Sequence, residues 1–413
     1  MKLLIKPLVI AASLAAFACG SNGGNSTSDT TATKTDSAKV DSTTTSQAKT
    51  SGEQDFINYA VPANTKEIIW LQAGIKQGQS KELKNHAKMM LKDHQKLDAT
   101  VKNYLSLIKF SHTIFAMPFA LIGFFLGVVG DRFHWSQFFS HYRPAPWEIY
   151  YSTKDISIKL VLVILCMVFA RSAAMAFNRY LDRSFDAKNP RTAIREIPAG
   201  IISANRALSF TVISSFLFII TCYFINRICF FLSPVALSVV LGYSYTKRFT
   251  PLCHLVLGLG LSLAPIGAYL AVTAHFSLLP VLFSLSAIFW VSGFDIIYAL
   301  QDEEFDRSQQ LYSIPAWLGK AKALRVSELL HVFSAACIIA AGLLAYFGWL
   351  YWIGVIIFCG MLVYQHSIVK PTDLKRVNLA FMTANGIASV VFACFVIADL
   401  LSNQGGYRLN VHY

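Results

Sequence analysis

Apolar residues are distributed unevenly along this chain of 413 residues. From about residue 108 onward they form long runs separated by short polar segments, and each run has about the length that crosses a bilayer as a helix. The pattern therefore predicts an all-α, polytopic membrane protein with nine transmembrane helices. The nine runs lie near residues 110–130, 157–177, 208–226, 229–246, 254–274, 279–300, 327–347, 350–366 and 379–400.

The first hundred residues have a different pattern. Residues 1–19 combine a basic start, a short apolar stretch and small residues before Cys19, which is typical of a secretory signal with a lipidated cysteine. Residues 20–53 contain too few apolar side chains to fold, so a linker is predicted. Residues 54–103 show helical periodicity in two runs broken near KQGQSK, and two helices alone bury little surface. Residues 104–413 form the membrane part.

Composition and charge agree with a membrane protein. The chain is 54% hydrophobic and only 14% charged, and its net charge of +13 comes with no nucleic-acid-binding signature. Lys and Arg are concentrated in the loops on one side of the predicted spans, fifteen against five, and such loops face the cytoplasm. We therefore expect a multi-pass protein of the cytoplasmic membrane, with these loops inside the cell. Seven of the eight cysteines lie in or beside apolar runs without a CxxC pair, and are interpreted as small hydrophobic residues.

The lipoprotein-like start and the charge bias are in conflict. A lipidated Cys19 would leave residues 20–103 outside the cytoplasm, whereas the bias places the start of the first transmembrane helix inside. No apolar run lies between them to carry the chain across. We therefore expect that residues 1–103 and residues 104–413 do not function together as a two-domain protein, and that the active unit begins at about residue 104.

Three oxygen-bearing side chains, Asn178, Asp182 and Asp186, follow the second apolar run at intervals of four residues. On a helix this spacing puts them on one stripe, where like charges weaken the helix. A divalent cation would compensate the repulsion. Mg²⁺ prefers hard oxygen ligands and needs only one or two carboxylates beside water and phosphate oxygens. The stripe is therefore a candidate Mg²⁺ site at the cytoplasmic face.

A second acidic stripe, formed by Asp295, Asp302 and Asp306, follows the sixth apolar run. Asp295 lies inside the run, where an ionisable group is a functional-site hypothesis by default. Two stripes facing one another would hold two or more Mg²⁺ ions around a diphosphate. The alternative is that these carboxylates, together with the neighbouring Glu303 and Glu304, are ordinary solvated charges of a loop at the membrane surface.

Basic groups are expected to complete a diphosphate site. Arg offers a bidentate donor pair to phosphate, and Lys offers a compact positive charge. Each basic residue, taken singly, is also compatible with a simple cytoplasmic anchor. His112 lies beside the first of the candidates, which are Lys109, Arg191, Arg195, Lys247 and Arg248.

From about Leu105 to its C-terminus the chain resembles the UbiA family of intramembrane polyprenyltransferases, in the branch called 4-hydroxybenzoate polyprenyltransferase-like. NRYLDRSFD and DIIYALQDEEFD match the two aspartate-rich motifs of the family, in the family's order. KFSHTIFAMPFALIGF, KNPRTAIREIPAG and YSYTKRFTP are also similar. The resemblance implies nine helices around a central cavity, a cytoplasm-facing Mg²⁺–diphosphate site and a lateral opening to lipid. In the N-terminal part, NHAKMMLKDHQK resembles a piece of a ferritin-like family of exported proteins.

The resemblance also implies an activity, the transfer of a polyprenyl chain from polyprenyl diphosphate to a hydroxylated aromatic acid in quinone biosynthesis. 4-Hydroxybenzoate is the first candidate acceptor, and a dihydroxynaphthoate of a menaquinone route is the second. Asp182 and Asp302 receive catalytic roles, with Asp302 a candidate acceptor for the ring proton. A function of another class, a cation-coupled transporter, is also compatible with carboxylates inside spans, although Gly- or Pro-broken helices in repeats would then be expected.

Overall fold

The computed structural model describes residues 62–109, 116–129 and 153–402; the signal-like start with Cys19, the predicted linker and His112 lie outside these ranges. Within them, regular structure is helical apart from one isolated β-bridge between Lys370 and Asp373. A 3₁₀ turn (Leu300–Asp302) and a π-helical segment (Leu379–Ala384) interrupt the helices. The α-helices are α1 (Pro62–Gln77), α2 (Lys81–Leu107), α3 (Met117–Val129), α4 (Thr153–Leu181), α5 (Arg183–Lys188), α6 (Ala204–Ile225), α7 (Arg227–Thr246), α8 (Cys253–Thr273), α9 (Leu278–Ala299), α10 (Glu303–Ser308), α11 (Ile314–Leu318), α12 (Lys320–Leu344), α13 (Trp349–Ile368) and α14 (Asn385–Ser402).

The chain divides into two compact units, Met1–Tyr104 and Leu105–Tyr413. In the first unit, α1 and α2 are separated by residues 78–80, within the KQGQSK stretch where the periodicity breaks. His94 of α2 contacts Glu67 of α1, with 3.1 Å between Nδ1 and Oε2. The ferritin-like resemblance of this unit stays a prediction.

The second unit is a multi-pass membrane bundle. Within the described ranges, eight helices are long and apolar enough to cross a bilayer, and α3 is equally apolar but has only 13 residues. Because residues 110–115 at the start of the first predicted run are not described, the count of nine transmembrane helices stays a prediction.

The helices of the bundle pack mainly on their neighbours in sequence, from α7 on α8 through α9 and α12 to α13 and α14. The short α3 packs against both α8 and α14. Two glycines allow backbones to meet. A Cβ on Gly123 would lie 1.9 Å from the carbonyl oxygen of Pro265 in α8, and a Cβ on Gly258 would lie 2.5 Å from that of Ile288 in α9. Small residues at such crossings are the usual means of close helix packing in membranes.

Aromatic side chains fill the contact between α3, α9, α13 and α14. The ring of Phe119 stacks on Trp290 with centroids 5.2 Å apart, and Phe358 and Phe392 close the cluster at 5.2 Å from one another. All four side chains are fully buried. Offset and edge-on aromatic contacts of this kind add to the energy of simple apolar burial, and they hold α9, which carries Asp295, in place.

The third and fourth predicted runs correspond to α6 and α7, and a single residue, Asn226, separates these two helices. Its side-chain oxygen accepts a hydrogen bond from the N–H of Cys229 at 2.9 Å and so caps α7. Its side-chain nitrogen donates to the carbonyl of Leu270 in α8 at 2.8 Å. The sequence leaves this division open because only two polar residues, Asn226 and Arg227, interrupt the apolar pattern there.

Candidate active site

The first acidic stripe keeps its helical register across the junction of α4 and α5. The N–H of Asp182 donates to the carbonyl of Asn178 at 2.9 Å, and the N–H of Asp186 donates to that of Asp182 at 2.7 Å. The side chains of Asn178 and Asp182 are in contact, with 3.1 Å between Nδ2 and Oδ2. The amide therefore offsets part of the repulsion that two carboxylates at this spacing create.

Asp186 is buried between two arginines. Nη1 of Arg195 lies 2.7 Å from Oδ1, and Nη1 of Arg179 lies 4.0 Å from Oδ2. Oδ2 itself accepts no hydrogen bond within the described residues, although it is buried. A buried carboxylate oxygen without a donor is destabilising by about 1–3 kcal/mol or more, so it is a favourable place for a cation.

In the second stripe, Asp302 stands at the end of the 3₁₀ turn that follows α9. The guanidinium of Arg191 contacts both of its oxygens, with Nε 3.1 Å from Oδ1 and Nη2 in close contact with Oδ2. Asn189 donates to Oδ1 at 3.2 Å. Nη1 of Arg191 reaches the hydroxyl of Tyr298 at 2.9 Å. The segment after α5 is thus tied to the end of α9.

Lys247 lies where the two stripes approach one another. Its Nζ is 2.7 Å from Oδ1 of Asp306, a carboxylate with no exposed surface. Lys247 also interacts electrostatically with Asp302 of the second stripe and with Asp182 of the first. The two stripes therefore share one electrostatic environment, centred on the loop between α7 and α8.

Asp295 has a different kind of partner. Oδ2 of Asp295 is 2.7 Å from Nδ1 of His254, a buried histidine in the first turn of α8. The three carboxylates of the second stripe are accordingly held by three separate segments of the chain, through His254, Arg191 and Lys247.

Four of the five predicted diphosphate ligands each pair with a different predicted metal ligand. Arg191 pairs with Asp302, Arg195 with Asp186, Lys247 with Asp306, and Arg248 with Asp182 at 3.4 Å. Lys109, which adopts a left-handed backbone conformation with φ of 46°, forms no ion pair with the described carboxylates. Its assignment to the diphosphate stays a prediction, as do the ligand roles of the other residues.

The chemistry of the carboxylates fits Mg²⁺, although they form no ready-made cage. Within the described ranges, no group of three or more Asp, Glu, His or Cys side chains is arranged so that it could hold a metal ion by itself. Mg²⁺ does not need one, since it is usually held by one or two carboxylates together with water and substrate phosphates. Burial raises the pKa of the Asp182 carboxyl, and the neighbouring carboxylate of Asp186 raises it further. A bound cation would favour the ionised form of Asp182.

Three side chains near the site were not among the site residues predicted from the sequence: Arg171, Arg179 and His254. Arg171 and Arg179 lie inside α4, eight residues apart and therefore on one face of that helix. The buried Nε of Arg171 has no hydrogen-bond partner within the described residues, and the arginine interacts electrostatically with Tyr243. A charge inside the second apolar run was the available signal for Arg171, whereas Arg179 lies just beyond the end of that run. No local signal marks His254.

A sequence profile of the UbiA prenyltransferase family matches residues 117–387. The chain is 31% identical over 255 residues to the 4-hydroxybenzoate octaprenyltransferase of Aliivibrio fischeri strain MJ11, a match that covers 60% of this chain and 87% of the relative. It is 28% identical over 263 residues to the enzyme of the same name from Tolumonas auensis, covering 62% of this chain and 90% of the relative.

Solved structures of the same fold are found as well. The apo structure of a UbiA homologue from Aeropyrum pernix K1 superposes with a TM-score of 0.57 at 27% identity, over 71% of this chain and 98% of the homologue. A UbiA homologue from Archaeoglobus fulgidus bound to DMAPP and Mg²⁺ superposes with a TM-score of 0.56 at 20% identity, over 72% and 99%.

Proposed function

The chain belongs to the UbiA prenyltransferase family, and we propose that it transfers a polyprenyl group from its diphosphate to the ring of a hydroxylated aromatic acid, 4-hydroxybenzoate. The observation that carries this proposal is the one-to-one pairing of four basic with four acidic side chains at the ends of α4 and α9. Membership of a transferase family decides against the cation-coupled transporter.

Mg²⁺ is the cofactor we propose, held by carboxylates of the two stripes and by Asn178. The support is the buried Oδ2 of Asp186 without a donor, the low demand of Mg²⁺ for protein ligands, and the Mg²⁺ named with DMAPP in a structure of the same fold. When bound, the ion neutralises charge that develops on the departing diphosphate.

Binding of the diphosphate would exchange partners within the site. In the structure, four of the candidate bases are each paired with a different candidate acid. Phosphate oxygens compete for Arg191, Arg195, Lys247 and Arg248 because charge-assisted contacts to phosphate are strong and, for arginine, bidentate. The carboxylates released in this way become available to the cation. The basic groups then stabilise the pyrophosphate as it leaves.

The reaction breaks the allylic C–O bond of the donor and one C–H bond of the aromatic ring, and it forms one C–C bond between them. The allylic C–O bond of the donor breaks with both electrons going to pyrophosphate, a ring carbon beside the phenol hydroxyl attacks the allylic carbon, and the ring then loses a proton. Both oxygens of Asp302 are engaged by Arg191 and Asn189. Accepting the ring proton would therefore require Arg191 to release Asp302, as the exchange with diphosphate provides.

The carboxylate of the acceptor requires a cation away from the diphosphate, and Arg171 is the residue we propose. It lies two turns from Asn178 along α4, about 10 Å deeper in the bundle. It forms no ion pair with a described carboxylate. Tyr243, in α7, interacts electrostatically with Arg171 and also with Asp182 and Asp295. Tyr243 therefore lies near enough to the proposed acceptor position and to both acidic stripes to interact electrostatically with each.

The acceptor can be identified by a turnover assay. Membranes containing the full chain, supplied with a polyprenyl diphosphate and Mg²⁺, are expected to prenylate 4-hydroxybenzoate well and a dihydroxynaphthoate poorly. A polar pocket built for one ring leaves buried groups unpaired with the other, which discriminates by factors of about 10⁴ or more. Preference for the dihydroxynaphthoate would move the enzyme to the menaquinone route, and equal weak turnover of both would contradict the acceptor proposal.

We propose that the active site faces the cytoplasm, on the strength of the Lys and Arg bias of the loops. A membrane-impermeant thiol reagent should therefore label a cysteine introduced at exposed Lys188 only after intact cells are permeabilised. Lys188 ends α5, directly beyond the first stripe. A cysteine at exposed Phe276, just beyond the opposite end of α8, is the matched control and should react in intact cells. The reverse labelling pattern would overturn the orientation.

A further inference from the structure

His254 contacts two structural elements at once, although it belongs to neither acidic stripe. It is buried, and its Nδ1 lies 2.7 Å from Oδ2 of Asp295 in α9. On the other side of the ring, the backbone N–H of Ile314 points at Nε2 over 3.3 Å. Ile314 begins α11, shortly after Asp306.

The contact with Ile314 fixes the tautomer of the imidazole. A backbone N–H can only donate, so Nε2 of His254 must be the acceptor and carries no proton. In the neutral ring the proton then resides on Nδ1, where it is donated to Asp295. One oxygen of Asp295 is therefore occupied by a directional donor. The carboxylate loses its freedom to rotate, and its second oxygen is held in a fixed direction.

The helix carrying His254 is itself held firmly against α9. The hydroxyl of Ser292 donates to the backbone carbonyl of His254 at 3.0 Å. One turn further along α8, Gly258 allows the backbone of α9 to approach, since a Cβ there would lie 2.5 Å from Ser292 Oγ. The imidazole thus stands on a rigid base directly beside Asp295.

His254 is also part of the anchorage of the segment that follows Asp306. In that segment, the N–H of Tyr312 donates to the carbonyl of Lys247 at 2.7 Å, and the N–H of Leu311 to that of Asp306 at 2.8 Å. The bond from Ile314 to His254 completes the attachment to α8. The residue that orients Asp295 therefore also helps to hold the loop beside the Lys247–Asp306 pair.

We propose that His254 is a positioning residue, whose Nδ1–H orients Asp295 as a metal ligand and whose Nε2 docks the segment after Asp306. This inference deepens the proposed function and rests on the assignment of Asp295 to the metal. Residues behind a metal ligand commonly change metal affinity or activity by about 10–100-fold when they are replaced. His254 is expected to act in this range, without contact to the substrate.

The two nitrogens of His254 can be tested separately. Asn places an amide near the position of Nδ1, so His254→Asn keeps a donor for Asp295. Gln reaches the position of Nε2, so His254→Gln keeps an acceptor for Ile314. Binding of Mn²⁺ to the purified full chain, with inorganic pyrophosphate present, is followed by electron paramagnetic resonance. The Kd is expected to rise about tenfold in His254→Ala and in His254→Gln, and to return to within about threefold of wild type in His254→Asn.

Two further variants separate the possible failures. His331→Asn replaces an equally buried histidine, which contacts His366 and the carbonyl of Trp290, and should leave the Mn²⁺ affinity unchanged at a similar loss of thermal stability. Asp295→Asn should weaken Mn²⁺ binding at least as much as His254→Ala. If Asp295→Asn has no effect, Asp295 is not a metal ligand and the positioning role is overturned with it, while the acceptor assay still decides the transferase activity. If Asp295→Asn weakens binding but His254→Ala does not, or if Gln restores it and Asn does not, the positioning role alone is wrong.

Discussion

Replacing either Asp182 or Asp302 by Asn is expected to lower kcat about 10³-fold or more, a barrier increase of ~4 kcal/mol. Each substitution keeps the size of the side chain but removes a carboxylate proposed to hold Mg²⁺. The effect is large because Mg²⁺ stabilises the charge on the departing diphosphate in the transition state, and a loss of transition-state stabilisation appears directly in the rate. The measurement is the Mg²⁺ dependence of pyrophosphate release by purified protein.

The matched control for these variants is Glu304→Gln. Glu304 lies two residues from Asp302 but its side chain is 92% exposed, with only a distant contact to Lys320 at 3.9 Å. An exposed pair of this kind contributes little, and turnover should stay near that of wild type. If Asp182→Asn or Asp302→Asn turns over within about tenfold of wild type at the same Mg²⁺ concentration, the proposal that both stripes hold the catalytic Mg²⁺ is contradicted.

Arg171→Met is expected to raise KM for the aromatic acid about 100-fold while KM for the polyprenyl diphosphate changes little. Removal of one member of a buried charged pair costs about 2–5 kcal/mol, and here the pair exists only when the acceptor is bound. The neutral amide of the same acceptor provides the critical comparison. Wild type should prefer the acid strongly, whereas the Met variant should use acid and amide about equally.

Two variants test this assignment further. Arg171→Lys keeps the charge without the bidentate geometry, so it should lie between wild type and the Met variant. Arg325→Met, at an exposed position of α12, should behave as wild type. An Arg171→Met variant that loses acid and amide turnover in equal measure would show that Arg171 supports the fold instead of the acceptor.

Part of the site follows from periodicity alone. Apolar runs of spanning length and side chains at four-residue intervals are local properties, because helix geometry converts sequence spacing directly into position. Asn178 and Asp182 are in contact as this spacing requires. The family was accessible for the same reason, since its two aspartate-rich motifs are contiguous stretches of sequence.

The partners of these residues were decided only by the tertiary structure. Arg191 and Asp302 are 111 positions apart, and His254 and Asp295 are 41 apart. Which base meets which acid depends on how α4, α8 and α9 pack, and the sequence spacing within one helix contains no information about a neighbouring helix. Arg191, Arg195, Lys247 and Arg248 were recognised as a group, but their assignment to individual carboxylates was not available.

His254 shows this limit most clearly. Its neighbours in sequence are apolar, so the sequence alone does not distinguish His254 from an ordinary buried histidine. Only the packing of α8 against α9 shows its contact with Asp295. The direction of the Ile314 N–H then determines which nitrogen carries the proton, and the helix contact determines that the proton points at Asp295. The sequence by itself determined the two acidic stripes and the membrane bundle that carries them. Long-range packing decided how those stripes are neutralised and oriented, because each such contact joins segments that only the folded bundle brings within hydrogen-bond distance.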